Sequence, residues 1–212
     1  MSDAPEVVVH GFETSNNFKV RIALGYKGIP YTFQTIDPAD RSEIRRLSGQ
    51  HLTPVLVHGD RVLFDSAAIL RYLEANFPRD RPLFGTTLAE QWAIEDLEMF
   101  ARHTLAGPMT QVVHTRKSGA AVDEAMMDRC AASFADSVGV LAGKLGTRRW
   151  LVGEAMSAAD VTAAAVLHRV RQAGLFPMPA VAAGLEDWVG RVVAFDRHSA
   201  GPMPPGRTEG SD

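Results

Sequence analysis

The sequence holds one cysteine, Cys130, so no internal disulfide can form and no cysteine pair is available for redox chemistry. A single thiol suits a reducing, cytoplasmic setting. No apolar run approaches the roughly 18 residues that a spanning helix needs, so no membrane partner is expected. The opening residues Met1 to Glu6 lack the basic and apolar regions of a secretory signal, which predicts none. Charge of either sign is not in excess: 22 Lys and Arg stand against 25 Asp and Glu, for a net −3. No broad attraction to nucleic acid follows. The histidines at 10, 51, 58, 103, 114, 168 and 198 show no His-x3-His spacing, so no metal site is read. What remains is 212 residues of ordinary globular composition, 46% hydrophobic and 22% charged, enough for one large domain or two small ones.

The first third alternates strand-like and helix-like segments. "EVVVHGF" is a β-branched strand. From Asn16 to Lys27 a helix is predicted, with Val20, Ala23, Leu24 and Lys27 on one face. "YTFQTI" reads as a second strand and "PADRSEIRRLSG" as a short helix ending on Arg45 and Arg46. "TPVLVHGDRVLFD" is a hairpin about His58-Gly59-Asp60. "SAAILRYLEANF" is an amphipathic helix with Ala68, Ile69, Tyr72 and Leu73 on its apolar face. The order βαβ-α-ββα needs one parallel crossover and one antiparallel hairpin, hence a small mixed sheet with helices on both sides.

Beyond residue 78 the character changes. "PRDRPLFGT" is a Pro/Gly-rich linker, and only helices follow: Leu88 to Leu105, Val122 to Leu145, Ala158 to Ala173 and Val181 to Ala194. The expected organisation is an α/β domain over 1–77, a linker over 78–85, an all-α domain over 86–198 and a frayed Pro/Gly-rich tail over 199–212. In "MSAADV", Ser157 and Asp160 form a capping box, flanked by a Met156/Val161 staple. The helix that follows is small and apolar on nearly every side, as in the centre of a bundle.

Three loops fall at one end of the small sheet. The first, Thr14, Ser15 and Asn16, opens the first helix. A helix start offers free N–H groups and a positive dipole end, which stabilise an anion such as a thiolate. These side chains serve either as donors to that anion or simply as an N-cap. The second is "LTPV", in which Pro54 is either a cis-proline that turns the Thr53 backbone outward or a trans-proline at a strand edge. The third is "FDSAAI", where Asp65 and Ser66 either hold an ammonium and a carboxylate or cap the next helix.

Taken together, "KVRIAL", "TPVL", "FDSAAILRYL" and "WLVGEAMSAADV" resemble the glutathione transferase family from about Val7 to Ala194. The resemblance implies a thioredoxin-like domain followed by a helical domain, a homodimer, and glutathione as co-substrate with no tightly bound cofactor. It implies that Thr53 and Pro54 face the cysteinyl part of glutathione and that Asp65 and Ser66 hold its γ-glutamyl end. Thr14 falls where serine-type members activate the thiol, with Ser15 beside it as the substitute. Asn16 falls where others carry Cys or Asn. The Thr-x-Asn pattern is similar to bacterial, serine/threonine-site or Nu-like members that reduce disulfides. The chain departs from the family at Leu52, where Lys or Gln is common, which leaves Gln50 or His51 for the glycyl carboxylate. Asp65 stands where Glu is commoner. The activity implied is transfer of glutathione to an apolar electrophile. Met99, Phe100, His103 and Met109 are expected to line its pocket, the last from a loop. Disulfide reduction and a non-catalytic protein-binding scaffold are the alternatives. Cys130 reads as an inert buried thiol, His168 as a core residue, and Arg45, Arg46, Arg148 and Arg149 as solvated.

Overall fold

The computed structural model describes residues 6–77 and 81–198; the expected tail and the start of the linker lie outside them. The first domain runs β1 (Val7–Gly11), α1 (Ser15–Lys27), β2 (Thr32–Thr35), α2 (Ser42–Ser48), β3 (Val55–His58), β4 (Arg61–Phe64) and α3 (Ser66–Asn76). The sheet order is β2-β1-β3-β4, with β1 parallel to β2 and antiparallel to β3, and β4 closing the hairpin. This is the thioredoxin-like arrangement that the βαβ-α-ββα pattern requires. Helix α2 covers one face over Ile36, Ile44 and Val55, while α1 and α3 pack on the other.

The amphipathic reading of α1 needs correction. Ten consecutive residues, Asn17 to Tyr26, are buried. The side away from the sheet is covered by α7 (Ala158–Gln172), whose small residues allow close approach. The apolar face of α3 is also rotated from the expected one: Ala67, Ile69, Leu70 and Leu73 are buried and Ala68 is exposed.

The second domain is α4 (Leu88–Met99), a π-helical turn (Phe100–Leu105), α5 (Gly107–Lys117), α6 (Glu124–Leu145), α7, a 3-10 turn (Ala180–Leu185) and α8 (Glu186–Val193). Helix α5 is absent from the sequence reading. Gly107-Pro108 looks like a break, yet proline is well suited to a first helical turn. Only Pro108 and Val112 of α5 are buried, so its periodicity is faint. Met109 therefore stands on a helix and not on a loop.

The described part of the linker is docked. Leu83 and Phe84 are buried, and the Ala158 N–H donates to the Leu83 carbonyl at 2.7 Å. The two domains share one continuous core. Ser157 and Asp160 form the expected capping box, with the Ser157 N–H and hydroxyl donating to Asp160 Oδ2 at 2.9 and 2.7 Å.

Candidate functional site

Thr14 is the N-cap of α1, in extended backbone. Its Oγ1 accepts from the Asn17 N–H at 3.2 Å and from the Asn17 side-chain amide at 2.7 Å. A hydroxyl has two acceptor positions and one proton. With both acceptor positions taken, Thr14 can only donate to anything else that approaches.

The same Asn17 amide donates to Thr53 Oγ1 at 2.9 Å. Asn17 thus ties the helix cap to the residue before Pro54, and the Thr53-Pro54 peptide is cis. Strand β3 begins only at Val55, which leaves Thr53 beyond its ladder. Asn17 is fully buried, and a Cβ on Gly11 would stand 1.7 Å from its Oδ1, so no residue with a side chain fits at position 11. The sequence reading assigns no role to Asn17. Its signal was a poor helix former three residues into a buried helix.

Asp65 caps α3: its Oδ1 accepts from the Ala67 and Ala68 N–H groups at 2.9 and 3.0 Å. Both bonds use Oδ1, so capping leaves Oδ2 uncommitted. Burial works to raise this carboxyl's pKa. The Ala68 and Ala67 amides, with the charges of Arg102 and Lys19, outweigh it and hold Asp65 below the ordinary carboxylate value. Its φ of +68° is strained for a residue with a side chain, a condition that clusters at functional sites. The Ser66 hydroxyl donates to Asn16 Oδ1 at 3.2 Å, joining the first turns of α3 and α1.

Ser15, Asn16, Asp65 and Ser66 line a cleft of about 200 Å³ together with Lys19, His103, Met109 and Thr110. Its wall is polar, not the expected apolar one. Lys19 is buried and pairs with Glu98 of α4 at 3.0 Å; burial lowers its pKa, against the pull of Glu98. Arg21 is the other buried cation of α1. It grips Glu13, just before Thr14, at 2.6 Å and Asp196 at 2.9 Å, which fixes the site loop to the last described turn of the chain.

Of the expected pocket residues, His103 and Met109 reach the cleft and two do not. Phe100 packs against the core, and Met99 lines a separate groove with Arg71, Phe84 and Trp92. Gln50 folds onto its own loop, donating to Ser48 Oγ at 2.7 Å and to the Leu52 carbonyl at 3.0 Å while accepting from the Leu52 N–H. His51 and Leu52 are exposed. Cys130 is buried, its thiol 3.6 Å from Gln111 Oε1. His168 is only half-buried and stacks on Phe18 at 4.7 Å. Arg45, Arg46, Arg148 and Arg149 are exposed, as expected.

A thioredoxin-like domain fused to a helical bundle, with a helix cap, a cis-proline loop and an acidic-serine turn at its edge, defines a class of two-domain thiol-handling folds. The chain belongs to the glutathione transferase family: the N-terminal domain of glutathione S-transferases matches residues 9–82 and the C-terminal domain matches residues 94–195. A glutathione S-transferase of Triticum aestivum is 34% identical over 79 residues, 37% of each chain. A stringent starvation protein A homolog of Haemophilus ducreyi is 43% identical over 61 residues, 28% of each chain. These matches span well under half the length of either relative. The solved structure of Ure2p in complex with glutathione superposes with a TM-score of 0.76 at 20% identity, covering 92% of this chain and 99% of that one.

Proposed function

We propose that the protein binds glutathione along its first domain and stabilises the thiol as a thiolate for attack on an electrophile held in the interdomain cleft. The observation that carries this reading is the Thr14 hydroxyl, which stands at the positive end of α1 with both acceptor positions filled and its proton free to donate. A thiolate needs such a donor. Free thiol has a pKa of about 8.5, so only a few per cent is ionised at neutral pH. One hydroxyl and a helix terminus lower this by roughly one to two units, about 1.4–2.7 kcal/mol. In this reading Thr53 pairs with the cysteinyl part, Asp65 Oδ2 takes the ammonium, Ser66 takes the γ-glutamyl carboxylate, and exposed His51 takes the glycyl carboxylate in place of Gln50. Titration calorimetry tests it: glutathione is expected to bind at millimolar concentration or below. No binding leaves the family's scaffold role. With binding established, turnover of 1-chloro-2,4-dinitrobenzene against hydroxyethyl disulfide separates transfer from disulfide reduction.

The chain is also proposed to pair with a second copy of itself. Leu88, Trp92 and Met99 lie on one face of α4, each more than half exposed, and line a groove of about 860 Å³ with Arg71, Phe84, Glu95 and Asp96. An exposed apolar stripe rimmed by both signs of charge suits a self-complementary two-fold contact. Light scattering is expected to give the mass of two chains for the native protein and of one for Trp92→Asp. A native mass of one chain removes this part of the proposal.

A further inference from the structure

The second-domain wall of the cleft includes the π-helical turn, closed by the Ala106 N–H donating to the Ala101 carbonyl at 3.1 Å, beside residues of α5 and α7. Such turns recur at functional sites, because the extra residue re-aims the side chains around it. Here Arg102 and His103 are brought into the cleft opposite Ser15 and Asn16. Beneath them one buried carboxylate stands between two cations. Glu98, buried, places Oε1 at 3.0 Å from Lys19 and Oε2 at 3.6 Å from Arg102, and the Thr162 hydroxyl donates to Oε1 at 3.4 Å. One carboxylate therefore serves two cations. Lys19 holds the close contact and is fully enclosed; Arg102 has the long one, and its side chain is 31% exposed. Among the described residues the one acid lining the cleft is Asp65, whose Oδ1 already accepts from two amides.

From this arrangement we infer that the acceptor carries a carboxylate, held by Arg102 with His103 beside it, while its electrophilic carbon faces the thiol. The inference rests on the proposed binding of glutathione, whose ammonium occupies Asp65 and whose γ-glutamyl carboxylate occupies Ser66, so that the loosely held Arg102 is left for the acceptor. A guanidinium fork loosely held on one side retains the paired N–H donors that a carboxylate accepts. Glutathione itself supplies carboxylates, so the test must separate the two sources.

An unsaturated acid allows the chemistry to be written in full. The thiolate sulfur bonds to one alkene carbon, the alkene electron pair moves to the other, and that carbon takes a proton from solvent. No oxidant or reductant is needed. The probes are 3-benzoylacrylate and its neutral methyl ester, each with glutathione, each enzymatic kcat/KM divided by the uncatalysed rate constant. The acid is expected to gain at least tenfold more than the ester. Arg102→Gln is expected to erase that preference through KM for the acid, with glutathione affinity by calorimetry kept within about twofold and Arg102→Lys retaining part of the preference. Equal gains for acid and ester in the native protein overturn the inference without recourse to any variant. So does an Arg102→Gln protein that loses glutathione affinity, since the arginine then serves the peptide's own carboxylate. Glutathione binding with no preference for the acid removes this inference alone; absence of glutathione binding removes the underlying reading with it.

Discussion

Thr14→Val is expected to lower kcat/KM for glutathione transfer by about 10²–10³, the cost of removing one donor aimed at a reacting anion. The loss should fall on the chemistry and not on binding, because the contacts proposed for the peptide backbone and both charged ends lie elsewhere. Glutathione affinity by calorimetry should therefore change only severalfold. The pH profile carries the sharper test. The hydroxyl favours the charged form of the thiol, so its removal raises the thiol pKa. At saturating glutathione the acidic limb of kcat/KM for the electrophile should move up by the hydroxyl's share of the roughly one to two units that it and the helix end supply together, toward about 8.5. Valine also removes the α1 cap and one partner of the Asn17 amide. That costs about 0.5–2 kcal/mol, a fraction of the 5–15 kcal/mol that keeps a typical domain folded, so the variant should remain folded. Thr14→Ser keeps the hydroxyl and should retain both the rate and the profile. A valine variant with an unmoved acidic limb would transfer the donor role to Ser15 or Asn16.

The parts of this site that were legible in the sequence are those fixed by local chemistry. A hydroxyl at a helix start and an acid followed by serine at a strand end each offer a capping role within four residues, whereas the proline opening a strand leaves cis and trans both open until the structure shows cis. Ser157 and Asp160 offer a capping role as well, and their bonds are as expected. What the sequence hid are contacts made across the fold. Asn17 matters because its amide reaches Thr53, 36 positions away, and its one local mark, a poor helix former near a helix start, says nothing of that partner. The polarity of the cleft depends on Lys19 meeting Glu98, 79 positions away, and on a π turn that brings Arg102 and His103 into the same wall. Helical periodicity misled where burial is not one-sided. Helix α1 is enclosed by the sheet and α7 together, so its apolar stripe was no guide to which face is covered. Helix α5 has the opposite problem, with too few buried residues to write a stripe at all.

The largest stability effect is expected at Asp160. Its carboxyl lies fully buried in the first turn of α7 and accepts four bonds: from the Leu151 N–H and the Trp188 indole N–H at 2.9 Å each on Oδ1, and from the Ser157 N–H and hydroxyl on Oδ2. Burial leaves its pKa above the ordinary value in spite of these donors. The four bonds join three stretches of chain: the loop ahead of α7, the first turn of α7 and the core face of α8. Asp160→Ala leaves three N–H donors enclosed without a partner, since only the serine hydroxyl can turn elsewhere. Each orphaned donor costs about 1–3 kcal/mol, so a loss of about 3–5 kcal/mol is expected from urea unfolding. Asp160→Asn should fall between the two proteins, because its amide oxygen can keep the Leu151 and Trp188 bonds while its NH2 faces the Ser157 donors. Trp188 reports on the same contact: its emission should shift to the red at denaturant concentrations where the native protein is still folded. A loss below about 1 kcal/mol in the alanine variant would mean that water or rearranged packing satisfies these donors. The α7 start would then be held by the Met156 and Val161 contacts and not by the carboxyl.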